Sequence, residues 1–498
     1  MGLARTLSRG QAGLDAYLVT VEVHLAGGLP GFAVTGLPAA AVRESKDRVR
    51  AALSTSGYPV PPSRITVHLG PADIPKTGGR FDLAIALGVL LAQQDAPWPV
   101  TDTEFLGELA LNGDLRPING ALPAVLGAQQ AGHAVVLPSA NAAEAALVAD
   151  AEVYVAGHLN EVVQHLSGGQ RLPRVAPRHD PVEGFSGPDL ADVRGQAFAK
   201  RALVVAAAGG HNLLMIGPPG SGKSMLAERL GGLLPPLDHD DMLRVASIAS
   251  VAGDPRAAQP TFMPPFRAPH HTTSAQALVG GGTRPRPGEI SLAHRGVLFL
   301  DELPEFGRGA LEALREPLES GVARISRVHE QLTFPAEFIL VGAMNPCFCG
   351  FRGDGTDRCQ CTPYKLEQYR GRISGPLLDR FDLHVEVPRV PFADIAEPSE
   401  QRESDSLRTA VVAARRVQLA RGGRLNARLD TRALWRAVSL GAAQRALLKR
   451  AADRWQLSAR SSVRVLKVAR TIADLVGSDA VTTEHVAEAL QLRCRDRG

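Results

Sequence analysis

The stretch Gly217-Pro218-Pro219-Gly220-Ser221-Gly222-Lys223-Ser224 constrains this 498-residue chain more than any other. It follows an apolar run, Leu213 to Ile216, and leads into a helix-forming segment, Met225 to Leu230. A strand that turns through glycines into a helix N-terminus is a phosphate cradle, because backbone N–H groups wrap the anion and the helix dipole adds a positive end. In that setting Gly217, Pro218, Pro219, Gly220, Ser221 and Gly222 shape the loop. Lys223 reaches the β and γ phosphates of ATP, and the Ser224 hydroxyl binds Mg²⁺. An α/β core with a parallel sheet is the expected frame.

Hydrolysis needs carboxylates facing that loop. Val297 to Leu300 is an apolar strand ending in Asp301-Glu302. Asp301 is placed to hold Mg²⁺ through water, and Glu302 to polarise the attacking water. A third apolar strand, Phe338 to Met344, ends at Asn345, which can hydrogen-bond the γ-phosphate or the lytic water. Three apolar strands, each ending in a polar residue, describe one rim of a parallel sheet, where ligands of open α/β sheets sit.

The rest of the chain divides by pattern. Residues 1–166 alternate short apolar strands with helical segments and read as a separate α/β domain, and 167–188 read as a linker with four prolines and a Gly-Gly pair. The nucleotide-binding core then runs over 189–399, and 400–498 turns helical, as a lid. That last segment holds 20 Lys+Arg against 10 Asp+Glu, a net +10 in a chain whose total is only +4. Such a balance suits a polyanion, and equally suits solvated helix faces that reach toward a neighbouring subunit's nucleotide. No apolar run reaches the roughly 18 residues a membrane helix needs, and no secretory leader is visible, so a cytoplasmic protein with no membrane partner is expected.

Four of the five cysteines fall in Cys347-Phe348-Cys349 and Cys359-Gln360-Cys361, on either side of a turn-rich stretch. Two close thiol pairs across a loop can supply four thiolates to a structural zinc; free thiols or redox pairs are the other readings. The insert, 347–361, begins two residues after Asn345.

Longer stretches carry a resemblance. Asp192-Val193-Arg194-Gly195-Gln196, Phe266-Arg267-Ala268-Pro269-His270-His271, Pro287 to His294, Asp301 to Phe306 and Arg372 to Asp382 resemble the YifB/ComM family. That resemblance implies an AAA+ P-loop core of magnesium-chelatase type, preceded by a Lon-protease-like α/β domain and followed by the helical lid. It further implies a DNA-dependent ATPase, a hexameric helicase that promotes branch migration as single strands are integrated during transformation. Arg380 matches an arginine finger acting on a neighbour's ATP, which makes the homo-oligomer a requirement. Arg460 and Arg464 are both candidates for a second phosphate-sensing arginine in the lid, with Arg460 the better match. Arg284 and Arg286, in a glycine-rich segment, and Arg327, between two short strands, match hairpins that face DNA in related motors. In the N-terminal domain, Arg80 and Leu122 stand where Lon-type peptidases carry the serine nucleophile and its lysine, so no proteolysis is expected. The same ATPase residues would serve a magnesium-chelatase subunit or a protein-remodelling chaperone, and they do not discriminate.

Overall fold

The computed structural model describes residues 2–94, 98–178, 187–259, 261–282, 285–326, 331–353, 355, 357–390 and 402–493. Contacts divide the chain into two compact units, Met1–Val182 with Met242–Pro260, and Glu183–Asp241 with Thr261–Gly498.

In the first unit, the strand Asp15–Ala26 shows why a half-buried sheet forms. Val19, Val21, Val23 and Leu25 point inward while Glu22 and His24 face out, the two-residue period of a pleated strand. It pairs antiparallel with Gly2–Ala12 and lies in a seven-stranded sheet. The spatial order is Gly31–Thr35, Arg64–Gly70, Asp15–Ala26, Gly2–Ala12, Thr103–Phe105, Ala134–Pro138, Val153–Ala156. The helix Asp82–Leu91 is buried along its whole length against this sheet.

Two parts of this unit depart from chain order. Val155 N–H donates to the Pro173 carbonyl at 3.1 Å and Val175 N–H to that of Val153 at 2.8 Å, so residues 173–175 lie along the edge strand. The segment read as a linker is thus folded onto the sheet as far as Arg178, whose N–H donates to Ala146. Residues 242–260 sit inside the span read as the nucleotide core, yet they cluster with the first unit. There Ala246 enters the cluster around Leu122, Val125 and Val135, and the Ser250 hydroxyl donates to Glu144.

The second unit is built on five parallel strands in the order Phe266–Arg267, Val297–Leu300, Ile339–Met344, Leu213–Ile216, Leu383–Glu386. Every residue of Leu213–Ile216, Val297–Leu300 and Ile339–Met344 is buried, as expected when helices cover both faces of a parallel sheet. Pairing of Ile216 with Met344 and of Leu300 with Gly342 brings Gly217, Asp301 and Asn345 to one rim. The lid helices Ser404–Gly422, Ala459–Leu475 and Thr483–Gln491 share the hydrophobic core of this sheet. Thr482 caps the last of them, its hydroxyl accepting from the His485 N–H while His485 Nδ1 accepts from the Thr482 N–H.

Among the described residues no helix is long and apolar enough to cross a membrane.

Candidate nucleotide site and its surroundings

The phosphate loop leaves the strand Leu213–Ile216 and enters the helix Lys223–Leu233. Gly222, at the N-cap, has φ 89°, a left-handed conformation that glycine adopts without steric cost, and no side chain caps the helix. A Cβ at Gly217 would collide with the Val387 carbonyl oxygen, so the loop's first turn needs a glycine as well. The Lys223 ammonium is turned back on the loop, donating to the carbonyls of Gly217 at 2.8 Å and Pro218 at 3.0 Å and to Asn345 Oδ1 at 3.4 Å. Burial lowers its pKa from the ordinary lysine value, with Asp301 opposing that shift. The Ser221 hydroxyl is buried with no hydrogen-bond partner among the described residues. Open helix N–H groups, an orphaned hydroxyl and an ammonium satisfied by loop carbonyls and the Asn345 amide, with no carboxylate partner, together fit a phosphate chain.

The carboxylates lie where that chain needs them. Ser224 Oγ donates to Asp301 Oδ2 at 2.8 Å, so the two side chains that would hold Mg²⁺ already meet. The Glu302 N–H donates to Asp301 Oδ1 at 2.9 Å. Glu302 has φ 51°, and its half-exposed carboxylate lies 3.0 Å from Nδ1 of His271. His271 in turn packs against His270, with ring centroids 4.1 Å apart. The structure therefore brings Lys223, Ser224, Asp301, Glu302 and Asn345 to one rim and adds His271, to which the sequence alone assigns no role at the site.

The arginines form a separate group. Arg380 is buried and donates to the Pro376 carbonyl at 2.6 Å and to Glu319 Oε1 at 2.7 Å. Arg460, exposed, shares the same Glu319 oxygen at 3.1 Å. Burial lowers the Arg380 pKa, Glu319 opposes this, and Arg460, Arg315 and Arg464 add to the lowering, so guanidinium groups outnumber the carboxylates that face them. Arg464 is engaged elsewhere, on the buried Asp382, which also lies 3.3 Å from His211 Nδ1. Burial works against the Asp382 anion, but His211 and Arg464 hold its carboxyl well below the usual range. Of the two lid candidates, Arg460 stands beside Arg380, whereas Arg464 ties the lid to the sheet.

This geometry has counterparts. The family profile described as magnesium chelatase, subunit ChlI, matches residues 189–395; a second, subunit ChlI of Mg-chelatase, matches 21–141; and a third, the ChlI C-terminal region, matches 401–493. Competence protein ComM of Haemophilus influenzae is 47% identical over all of this chain and 98% of its own length. The uncharacterized protein YifB of Escherichia coli is 44% identical, again over 100% of the chain and 98% of its own. The chain belongs to the ComM/YifB family. By contrast, the magnesium-chelatase 67 kDa subunit of Heliobacterium mobile is 28% identical and covers 34% of the chain. The core of this ComM/YifB chain is thus an AAA+ module of the magnesium-chelatase type, for which ATP and Mg²⁺ are the implied ligands.

Beside the phosphate loop of this ComM/YifB protein, the sulfur atoms of Cys347, Cys349, Cys359 and Cys361 all lie within 4.8 Å of one another. Cys347 is 3.4 Å from Cys349 and 3.8 Å from Cys359. Tetrahedral zinc bonded to thiolates at about 2.3 Å would space them about 3.8 Å apart, so the set fits a closed zinc site. The cluster is coupled to the rim: a Cβ at Gly350 would lie 2.7 Å from Cδ of Pro219, and the Tyr369 hydroxyl accepts the Asn345 N–H. Burial pushes that phenol up to about 12.

Two hairpins stand on the core. Gly280–Gly281 pairs with Arg286–Pro287, and Val322–Ser326 pairs with Gln331–Pro335. They adjoin, since a Cβ at Gly280 would come within 2.9 Å of Ile325 Cδ1. Arg286 is exposed on the first hairpin, while Arg284 and Arg327 lie outside the described residues. In the N-terminal unit, the buried Arg80 donates to the Asn119 carbonyl, and Leu122 is fully buried near the start of the helix Ala121–Ala131.

Proposed function

We propose that this chain is an ATP-driven DNA motor, a homo-hexameric ring that moves branched or single-stranded DNA without reading its sequence, as in branch migration during strand integration. The observation that carries the reading is the pair of adjoining hairpins, one exposing Arg286, on a core whose rim holds Lys223, Ser224, Asp301 and Glu302. Full-length likeness to a competence protein and the net +10 of residues 400–498 support it.

In this reading Lys223 leaves its loop carbonyls for the β and γ phosphates, Glu302 turns from His271 to orient water, and Asn345 aligns that water with the γ-phosphate. Ser224 and Asp301 would hold Mg²⁺, which would supply neutralisation of phosphate charge. Arg380 leaves Glu319 to complete a neighbour's site, so that turnover requires the ring. Cys347, Cys349, Cys359 and Cys361 would hold zinc, which would stiffen the insert that packs against Pro219.

The decisive measurement is the ATPase rate with and without single-stranded and branched DNA, alongside fork migration. DNA should stimulate turnover. An ATPase indifferent to DNA but driven by a protein or porphyrin-handling partner would replace the motor with a remodelling or chelatase role. For the cysteines, purified protein should contain one zinc per chain, lost in Cys359→Ser; protein free of zinc would reject the metal.

A further inference from the structure

The N-terminal unit holds a cavity of about 600 Å³ that the nucleotide site does not use. It lies at the edge of the seven-stranded sheet, where the strand Val153–Ala156 is bordered by residues 173–175. One wall is aromatic: the rings of Tyr154 and His165 meet with centroids 5.3 Å apart, inclined at 41°. Leu166 and Leu172 form an apolar floor, and Thr103 adds a hydroxyl.

Arg171 and Arg174 also line it, both exposed, and neither forms an ion pair with any carboxylate among the described residues. Glu152, an acid on the same strand edge, is engaged with the tyrosine, its Oε1 accepting the Tyr154 hydroxyl at 2.7 Å. That bond also holds the tyrosine ring in place. His165 Nδ1 accepts the Leu172 N–H at 3.2 Å, and burial together with Arg171 lowers the imidazole's pKa below its ordinary 6.5. The ring is therefore a neutral stacking surface at physiological pH. Two uncompensated guanidinium groups beside a concave aromatic wall call for a ligand that is flat at one end and anionic at the other. The cavity's size is in the range of small-ligand sites.

We propose that this cavity binds one nucleotide unit, its base against Tyr154 and His165 and its phosphate on Arg171 and Arg174. Stacking is indifferent to base identity and phosphate contacts to sequence, which suits a strand passed over the N-terminal unit. The proposal rests on the DNA-motor reading for the source of the nucleotide only, since a free mononucleotide offers the same chemistry.

The test uses the full chain with ADP and Mg²⁺ in excess to fill the phosphate loop. Binding of a fluorescein-labelled oligothymidylate is followed by anisotropy, and binding of dTMP by saturation-transfer NMR. Tyr154→Leu should weaken the oligonucleotide about tenfold. The double change Arg171→Gln with Arg174→Gln should do the same and lower the slope of log Kd against log salt by about 1. Both arginines are exposed, so the double variant should melt with the parent and keep its DNA-free ATPase rate; it remains the test if Tyr154→Leu fails to fold.

Weakened strand binding assigns the site to a nucleic acid. Loss of dTMP contact alone, with strand binding unchanged, assigns it to a free nucleotide. If both probes bind the double variant as they bind the parent, or if the parent binds neither, the proposal is overturned. A parent ATPase that DNA still stimulates would leave the motor reading standing in the first case. A parent that binds dTMP here but no strand would sink the motor and keep the site.

Discussion

The two units treat charge in opposite ways. Under the N-terminal sheet, the carboxylates Glu104 and Asp82 are enclosed and satisfied by cationic partners. Arg9 forms a two-pronged pair with the fully buried Glu104 at 2.7 and 2.8 Å, and His133 Nδ1 reaches the same carboxylate at 2.8 Å. Asp82, also buried, accepts from Ser45 and Arg48, although burial still holds its carboxyl above the ordinary range. On the rim of the second sheet, Lys223 has loop carbonyls and Asn345, the Ser221 hydroxyl has no partner among the described residues, and Glu302 is half exposed. Enclosed and complete networks hold a fold together; incomplete ones at a strand rim wait for a ligand. Substitutions in the first class should cost stability and spare chemistry, and those in the second the reverse.

The largest effect should come from Arg380→Ala. If Arg380 serves a neighbour's γ-phosphate, turnover should fall by about a thousandfold or more while nucleotide binding stays within a small factor of the parent. Equilibrium binding of a fluorescent ATP analogue and single-turnover hydrolysis separate the two quantities. Unchanged turnover would make the Glu319 pair a local brace and move Arg380 to the enclosed class.

Glu104→Gln should come next, and should act on stability instead. It leaves the Arg9 guanidinium buried without its partner, a loss of about 3–5 kcal/mol. Chemical denaturation should show an earlier unfolding step for the N-terminal unit, with ATP affinity at Lys223 unaltered. A variant as stable as the parent would show that the Arg9–Glu104 pair contributes nothing net.

The smallest effect sharpens the contrast, because it concerns a carboxylate in the second unit that is enclosed. Burial opposes the Asp189 anion, yet the N–H groups of Ala191 and Glu403, with Arg402 and Ser404, hold its carboxyl down at about 2. Its folded pKa lies below the unfolded value of about 3.9, so the stabilisation is complete above that pH and is lost as pH falls toward 2. Asp189→Asn keeps an accepting oxygen at the cap but removes the charge from its hydrogen bonds with Ala191, Glu403 and Arg402, and should lower stability by about 1 kcal/mol at neutral pH. The gap to the parent should close on acidification between these two values. Melting curves that run parallel at every pH would remove Asp189 from the enclosed class.

The rim was legible in the sequence because its chemistry is written in adjacent letters. A glycine-rich turn before Lys223, and Asp301-Glu302 after an apolar strand, each need only local spacing. The strand Val322–Ser326 and its partner were legible for the same reason, as two β-prone runs around a turn. The strand Gly2–Ala12 was not. Its inward residues include Thr6, Ser8 and Arg9, so no apolar alternation marks it; Thr6 is satisfied by the Ala84 carbonyl and Arg9 by Glu104, partners far along the chain. His271 on Glu302, and Glu319 between Arg380 and Arg460, were hidden likewise, since an ion pair between distant residues leaves no periodic trace.

The placement of residues 242–260 bears on how such a protein can be divided. Ala246 fills part of the cluster around Leu122 and Val135, and Ser250 holds the Gly120 N–H through its carbonyl and Glu144 through its hydroxyl. A fragment cut after residue 182 would lack a piece of its own interior. The front portion is therefore not a detachable cassette: recombination that shuffles it, or an expression plasmid that isolates it, must carry along a helical segment encoded behind the phosphate-binding turn.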